Sequence, residues 1–166
     1  ICAFVGNFKT QGFKADKFAD FKRKTKNVRT KLFLDICEVC YLEYQQSLIE
    51  EHCIDFEDMI NESAELIRKK QIAKEQLDYK YIVVDEYQDI SRQRYNLIRE
   101  LSKLCDAKIM AVGDDWQSIY AFSGSDITLF TRFLELMGAG TELKITHTYR
   151  NSQELIDIAG GFVQKN

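Results

Sequence analysis

Two short apolar runs constrain this chain more than any other feature. Tyr81-Ile82-Val83-Val84 is rich in β-branched residues and ends at Asp85-Glu86, and Lys108-Ile109-Met110-Ala111-Val112 ends at Gly113-Asp114-Asp115. Such continuous runs predict strands covered on both faces, as a parallel sheet requires. Between them Ser91 is placed to cap a helix with Tyr95, Ile98, Leu101 and Leu104 on its buried side. Strand, helix, strand makes a βαβ unit with acidic groups at its carboxyl edge. That edge is where open α/β sheets bind ligands, because strand ends and loops converge there.

The first half of the chain reads as almost wholly helical. Leu32, Ile36, Val39, Cys40 and Leu42 recur at three- and four-residue spacings over 32–50, and a second helix is expected from Asp55-Phe56 with Phe56, Met59, Ile60 and Ile67 on one side. Arg68, Lys69 and Lys70 suit its carboxyl end. Beyond the second strand, Ser125–Met137 predicts one short helix, with Gly138-Ala139-Gly140 as the expected domain boundary. Leu143–Thr146 predicts a third strand, and a last helix is expected with Asn151 as cap, Glu154 completing a capping box, and a stripe of Leu155, Ile156, Ile158, Ala159, Phe162 and Val163. The 166 residues include no proline, where average usage gives roughly eight, so glycine and polar caps must end the helices.

An apolar fraction of 45% and a charged fraction of 30% are those of a chain able to form a core. The net charge of -3 is uneven: between Lys9 and Lys31, nine basic residues oppose Asp16 and Asp20, a local charge of +7, which leaves -10 elsewhere. That patch fits either contact with a polyanion or simple solvation of an exposed face. Five cysteines, including Cys37-x-x-Cys40 without a second pair, read as ordinary reduced thiols and point to a reducing cytoplasm. No run of 18 apolar residues offers a route into a membrane. A start at Ile1 without Met, and an end close behind an apolar helical stripe, predict an internal piece of a longer protein.

At the first strand end, Asp85 can hold a divalent ion beside a triphosphate and Glu86 can take a proton from an attacking water. Acidic pairs also serve as plain turn formers, so the wider pattern matters. Asp85-Glu86-Tyr87-Gln88-Asp89, then Gly113-Asp114-Asp115-Trp116-Gln117-Ser118-Ile119-Tyr120-Ala121-Phe122-Ser123-Gly124, then Thr148-Tyr149-Arg150 resemble in order and spacing motifs II, III and IV of the UvrD/Rep family of superfamily 1 DNA helicases. Ile54-Asp55-Phe56-Glu57-Asp58-Met59-Ile60 and the closing Ala-x-x-Phe-Val-Gln-x-Asn also look like that family.

The resemblance implies an α/β fold, part of a RecA-like P-loop NTPase motor domain with a parallel sheet, preceded by a helical segment. It implies that 1–53 resembles the inserted 1B subdomain, 54–138 the carboxyl part of the first motor domain (1A), and 139–166 the start of the second (2A). It implies ATP and Mg2+ as cofactors, with Asp85 on magnesium and Glu86 as the base that deprotonates water. Gln117 would sense the γ-phosphate, Tyr149 stack on adenine, and Arg150 reach the γ-phosphate across a cleft. Tyr120 and Phe122 would meet bases of single-stranded DNA, since every base has a stacking face. As residues alone, Tyr120, Phe122 and Tyr149 could equally pack a core.

Ala121 stands where relatives often carry Arg, and Phe122 where many carry Trp. Nothing in the chain matches Gly-x-x-x-x-Gly-Lys-Ser/Thr, so the chain alone is expected to be inactive, with the phosphate loop in a preceding part of the parent. The expected parent is an ATP-dependent helicase or translocase acting on single-stranded DNA and duplex junctions. Alternatives are the motor portion of a helicase-nuclease subunit and a nonmotor regulator that binds nucleic acid or polymerase. An exposed sheet edge in a partial domain would invite self-association.

Overall fold

The structure is a computed structural model that describes residues 1–138, 140–163 and 165. It divides into two compact units, Ile1–Thr131 and Arg132–Asn166. In the first unit, α1 (Cys2–Thr10), α2 (Asp16–Lys24), α3 (Val28–Glu50) and α4 (Phe56–Arg68) precede β1 (Tyr81–Val84), α5 (Arg92–Cys105), β2 (Lys108–Ala111) and α6 (Thr128–Thr131). The second unit holds α7 (Phe133–Met137) and α8 (Gln153–Val163). The expected α/β class and the βαβ unit are both present.

Aromatic packing holds the first three helices. Phe8, Phe18, Leu34, Cys37 and Tyr41 form a buried cluster, with Phe4, Phe13 and Phe21 against it. Phe8 and Phe18 stack with ring centroids 4.4 Å apart, and Tyr41 meets Phe8 edge-on at 5.4 Å. Such offset and edge contacts are favoured by the ring quadrupole beyond the area they bury. Burial pushes the Cys37 thiol up from its ordinary pKa, consistent with a packing role for that cysteine.

α1 is joined to α4 by charge. Lys9 is only 2% exposed and its ammonium pairs with Asp55 and, at 2.6 Å, with Asp58. Asp55 is also the cap of α4, accepting the Asp58 N–H at 2.8 Å, and Tyr44 donates to its other oxygen at 2.9 Å. Asn61 completes the joint by donating to the Lys9 carbonyl at 2.9 Å. Burial acts to raise the Asp55 carboxyl, but the hydrogen bonds from Lys9, the Asp58 amide and Tyr44 outweigh it and hold the pKa below the usual range. Burial and the bond to Asp55 push Tyr44 the other way, up to about 12.

β1 and β2 pair in parallel, Tyr81 opposite Lys108 and Val84 opposite Ala111. The expectation of two covered faces is corrected: Ile82, Val84, Ile109 and Ala111 are half-buried, while Tyr81, Val83 and Met110 are exposed. With two strands in the sheet among the described residues, apolar residues on its second face meet no covering layer there.

Four further expectations change. Ser91 takes the cap position of α5, yet its buried hydroxyl makes no bond to the helix amides. The helix expected over 125–137 breaks into α6 and α7 because Arg132, at φ -110° and ψ 24°, leaves the helical basin. Residues 143–146 form no strand, and Leu143 and Ile145 are exposed, since an isolated extended segment gains no ladder of hydrogen bonds. α8 starts at Gln153, so Ser152 rather than Asn151 stands at its entry, and the Glu154 backbone N–H, with the Ser152 hydroxyl second, lowers the Glu154 carboxyl. Gly138 follows α7 with φ +98°; Ala139, Gln164 and Asn166 lie outside the described residues.

Replacing Lys9 by Met leaves two carboxylates in a largely buried site without their cation. Urea denaturation should show a loss of about 3 kcal/mol or more, the usual result of breaking one side of a buried pair. Because the folded Asp55 pKa is depressed, its contribution is fully present above the unfolded value of about 3.9 and is lost as pH falls through the lower folded value. The acid decline of wild-type stability below about pH 4 should therefore be shallower in Lys9→Met.

Candidate functional site

Sheet pairing continues past the strand ends and creates the site. Val112 donates to the Val84 carbonyl at 2.9 Å and receives the Tyr87 N–H at 2.9 Å, so the two acidic loops leave the sheet side by side. Tyr87 is fully buried and packs near Phe130, with centroids 6.4 Å apart. Desolvation pushes its phenol up to about 12, so it stays neutral and fixes the turn behind the acidic pair.

Asp85 and Glu86 are both exposed. One Asp85 oxygen accepts the Glu86 N–H at 2.9 Å, and Glu86 has a left-handed backbone at φ +49°. That conformation is uncommon for a residue with a side chain and turns the Glu86 carboxylate back toward Gln88, whose Nε2 donates to it at 2.7 Å. Across the gap, the Asp114 N–H donates to Gln88 Oε1 at 3.1 Å. Asp114 in turn accepts from the Trp116 N–H at 3.1 Å and from Gln117 Nε2 at 2.8 Å. Asp85, Glu86 and Gln117 are thus brought to one edge, with Gln117 tied to Asp114.

The loop then carries Tyr120 and Phe122 outward. Their rings lie 5.9 Å apart, and Phe122 is 75% exposed, so these aromatics present faces to solvent instead of filling a core. The loop is anchored behind them. Asp126 donates its N–H to the Ile90 carbonyl at 3.0 Å and pairs with Arg92, while Ser91 and Ser125 form an antiparallel bridge. Burial would raise the Asp126 carboxyl, but bonds from the Thr128 hydroxyl and N–H, together with Arg92, hold it below the usual range. Gly124 closes the loop at φ +90°, against Thr10 of α1.

Tyr149 and Arg150 belong to the second unit. Tyr149 is 95% exposed, and Arg150 is exposed in the segment before α8 with its N–H 3.4 Å from the Thr148 hydroxyl. Gln88 and Asp114, which knit the acidic loops together, carried no separate role in the sequence reading. The detectable signal was a Gln two residues beyond the acidic pair.

The donor set at the edge is hard oxygen. Among the described residues no group of three His, Cys, Asp or Glu side chains forms a metal cage. A single exposed carboxylate such as Asp85 fits Mg2+, which is commonly held by one or two carboxylates plus substrate phosphates.

The basic stretch proves uneven. Lys9 is buried in its acidic pair and Lys22 pairs with Asp35 and Glu38, both at 2.5 Å, so neither is free to meet a polyanion. Lys24, Lys26, Arg29 and Lys31 stand exposed where α2 passes into α3.

A parallel βαβ unit with paired acidic loops at its carboxyl edge defines an α/β protein with its candidate site at the strand ends. The UvrD/REP helicase N-terminal domain matches residues 1–137, and the chain belongs to that family. DNA helicase IV of Escherichia coli is 36% identical over 124 residues, covering 74% of this chain and 18% of that protein. ATP-dependent DNA helicase PcrA of Bacillus subtilis is 30% identical over 128 residues, covering 76% and 17%. DNA helicase II of Haemophilus influenzae is 27% identical over 167 residues, covering 99% and 22%. The chain therefore spans about a fifth of the length of these relatives.

Gly124→Ala tests the anchoring of the aromatic loop. An added Cβ would lie 2.7 Å from the Thr10 methyl and would also hold a side chain at positive φ. A loss of about 1–3 kcal/mol in chemical denaturation is expected. Adding Thr10→Ser should recover only part of it, because the contact is relieved and the backbone strain is not.

Proposed function

We propose that this chain is part of an ATP-dependent DNA helicase or translocase that couples Mg-ATP hydrolysis to movement on single-stranded DNA and to unwinding at duplex junctions. The observation that carries the reading is the side-by-side exit of Asp85-Glu86 and Asp114–Gln117 from adjacent parallel strands, with exposed Tyr120 and Phe122 on the same loop. In this reading 1–53 is the inserted 1B-like segment, 54–138 the carboxyl part of motor domain 1A, and 139–166 the start of 2A.

Asp85 would hold Mg2+, which when bound would supply positive charge to neutralise the phosphates. Glu86 orients the attacking water and takes its proton. Gln117, released from Asp114, reaches the γ-phosphate and reports its presence to the aromatic loop. Tyr120 and Phe122 stack on successive bases, a contact worth about 1–3 kcal/mol per base and indifferent to sequence. Tyr149 stacks on adenine, and the Arg150 guanidinium, a permanently charged fork, stabilises charge developing on the transferred phosphoryl. With no Gly-x-x-x-x-Gly-Lys-Ser/Thr sequence to cradle the phosphates, the chain alone has negligible ATPase activity. The proposed place of work, the cytoplasm, follows from the helicase assignment; among the described residues no helix is long and apolar enough to cross a membrane. Self-association through the outer sheet edges is a consequence of their unpaired backbone groups.

Steady-state ATP hydrolysis by the full-length protein tests the reading. Single-stranded DNA should stimulate turnover, and Glu86→Gln should lower it by about 10²–10⁴-fold. No turnover in the folded full-length protein would reject the motor assignment in favour of a binding or regulatory protein.

The exposed cations supply a separate test. Replacing Lys26 and Arg29 by Glu should weaken single-stranded DNA binding at low salt for every sequence tried. The slope of log affinity against log salt should flatten by about 1.4, two phosphate contacts at about 0.7 each. An unchanged slope in a salt titration would remove this corner from the DNA path.

A further inference from the structure

Gln88 has no role in the reading above, yet its side chain is one of the few fully buried polar groups, at 1% exposure. We infer that Gln88 is a positioning residue that ties Glu86 to the loop bearing Gln117, Tyr120 and Phe122, so that DNA contact on that loop is transmitted to Glu86 through one buried amide. This inference rests on the assignment of Glu86 as the base.

The orientation of the amide follows from its partners. The backbone N–H of Asp114 can only donate, so the Gln88 atom 3.1 Å from it is the oxygen. Nε2 must then face the other way, where it donates to Glu86 Oε2 at 2.7 Å. One planar group therefore spans both acidic loops and has a separate bond to each.

Neither end of this strut is loose. The preceding Tyr87 is buried and its N–H is held by the Val112 carbonyl at 2.9 Å; the Gln88 carbonyl lies 3.5 Å from the Ser118 hydroxyl of the opposite loop. Gly113 leaves no spare room: a Cβ there would sit 2.5 Å from Gln88 Oε1 and 2.9 Å from the Phe130 ring. Glycine at that position is what lets the amide approach the opposite backbone so closely. At the other end, Glu86 has its left-handed backbone, and within the described contacts its carboxylate is steered by the Gln88 amide.

The consequence is mechanical. Seating bases on Tyr120 and Phe122 displaces a loop that begins at Asp114, and a displaced Asp114 amide pulls on Gln88 Oε1. The same rigid amide then reorients the Glu86 carboxylate relative to the attacking water, and a shift of about 1 Å in such a group is enough to change a rate by about 10²-fold. Gln88 touches neither nucleotide nor DNA in this scheme.

The test uses the full-length protein with three variants and Glu86→Gln as reference. Gln88→Met keeps the length of the side chain and removes both bonds. Gln88→Glu keeps an acceptor for the Asp114 amide and sets a second carboxylate against Glu86 in place of the donor. Gly113→Ala leaves Gln88 in place chemically and forces it off the Asp114 amide.

In each variant, kcat at saturating single-stranded DNA should fall by about 10- to 100-fold. The KM for ATP should stay within about twofold, and the ratio of turnover with and without DNA should drop toward one. Hydrogen exchange of the peptide spanning residues 113–120 should quicken in Gln88→Met and Gly113→Ala and stay unchanged in Gln88→Glu.

A structural defect alone would lower the amount of folded enzyme without selectively erasing DNA stimulation. If Gln88→Met fails to fold, Gly113→Ala, which keeps the Gln88 amide and adds no buried charge, decides the matter by the same kcat and DNA ratio. Wild-type kcat and stimulation in folded Gln88→Met or Gly113→Ala, with Glu86→Gln inactive, overturn the role of Gln88 alone. Full activity in Glu86→Gln overturns the assignment of the base and this inference with it.

Discussion

The parallel pairing of β1 with β2 continues beyond both strands through the Val112 bond to Val84 and the Tyr87 bond to Val112. Everything at the site depends on that continuation. Without it, two four-residue strands would end at independent loops, and Asp85-Glu86 would have no fixed relation to Asp114 or Gln117. With it, the backbone sets the spacing, Tyr87 plugs the space beneath, and one amide side chain is long enough to bridge what remains. Local sequence thus acts through register: a residue slipped by one along either strand would turn its side chains to the other face and separate the loops.

Charge has a different task in the helical part. The segment from Lys9 to Lys31 is the most basic in the chain, yet its most buried cation, Lys9, joins α1 to the amino end of α4. Asp55 serves that joint twice, as helix cap and as ion-pair partner, and it lies at the beginning of the stretch that leads to the βαβ unit. The positive end of α4 favours the carboxylates gathered there, which offsets part of the cost of burying them. What remains for a polyanion is the smaller exposed corner between α2 and α3, whose charges sit on helix ends and stay hydrated.

Much of this was legible in the sequence because the relevant signals are local. Apolar periodicity gave α3 to α5, Asp55 announced the start of α4, and two apolar runs with acidic ends announced the parallel pair and its acidic edge. The illegible parts depend on partners distant in sequence. Nothing around Leu143–Thr146 says whether a neighbouring strand is available, so its propensity predicted an element that the described chain does not form. Nothing near Lys9 shows that Asp55 and Asp58 will neutralise it, and a Ser before α5 looks like a cap whether or not its hydroxyl turns inward. The acidic pair, Gln117 and the two loop aromatics were visible as residue types in order; the way Gln88 connects them needed the register of two strands.

The exposed apolar residues share this logic. Tyr81, Val83 and Met110 line one face of the sheet, and Leu155, Ile158 and Phe162 line α8, yet none is buried in the unit that contains it. Periodicity records which face a sequence reserves for packing, while burial requires a second surface to be there. A chain can therefore carry well-formed elements whose apolar faces stay exposed. The acidic edge differs from these faces because its order comes from backbone bonds and a buried amide inside one unit. Its geometry is set in advance by the chain itself, which is the condition under which fixed dipoles and carboxylates can act on a bound group without first reorganising.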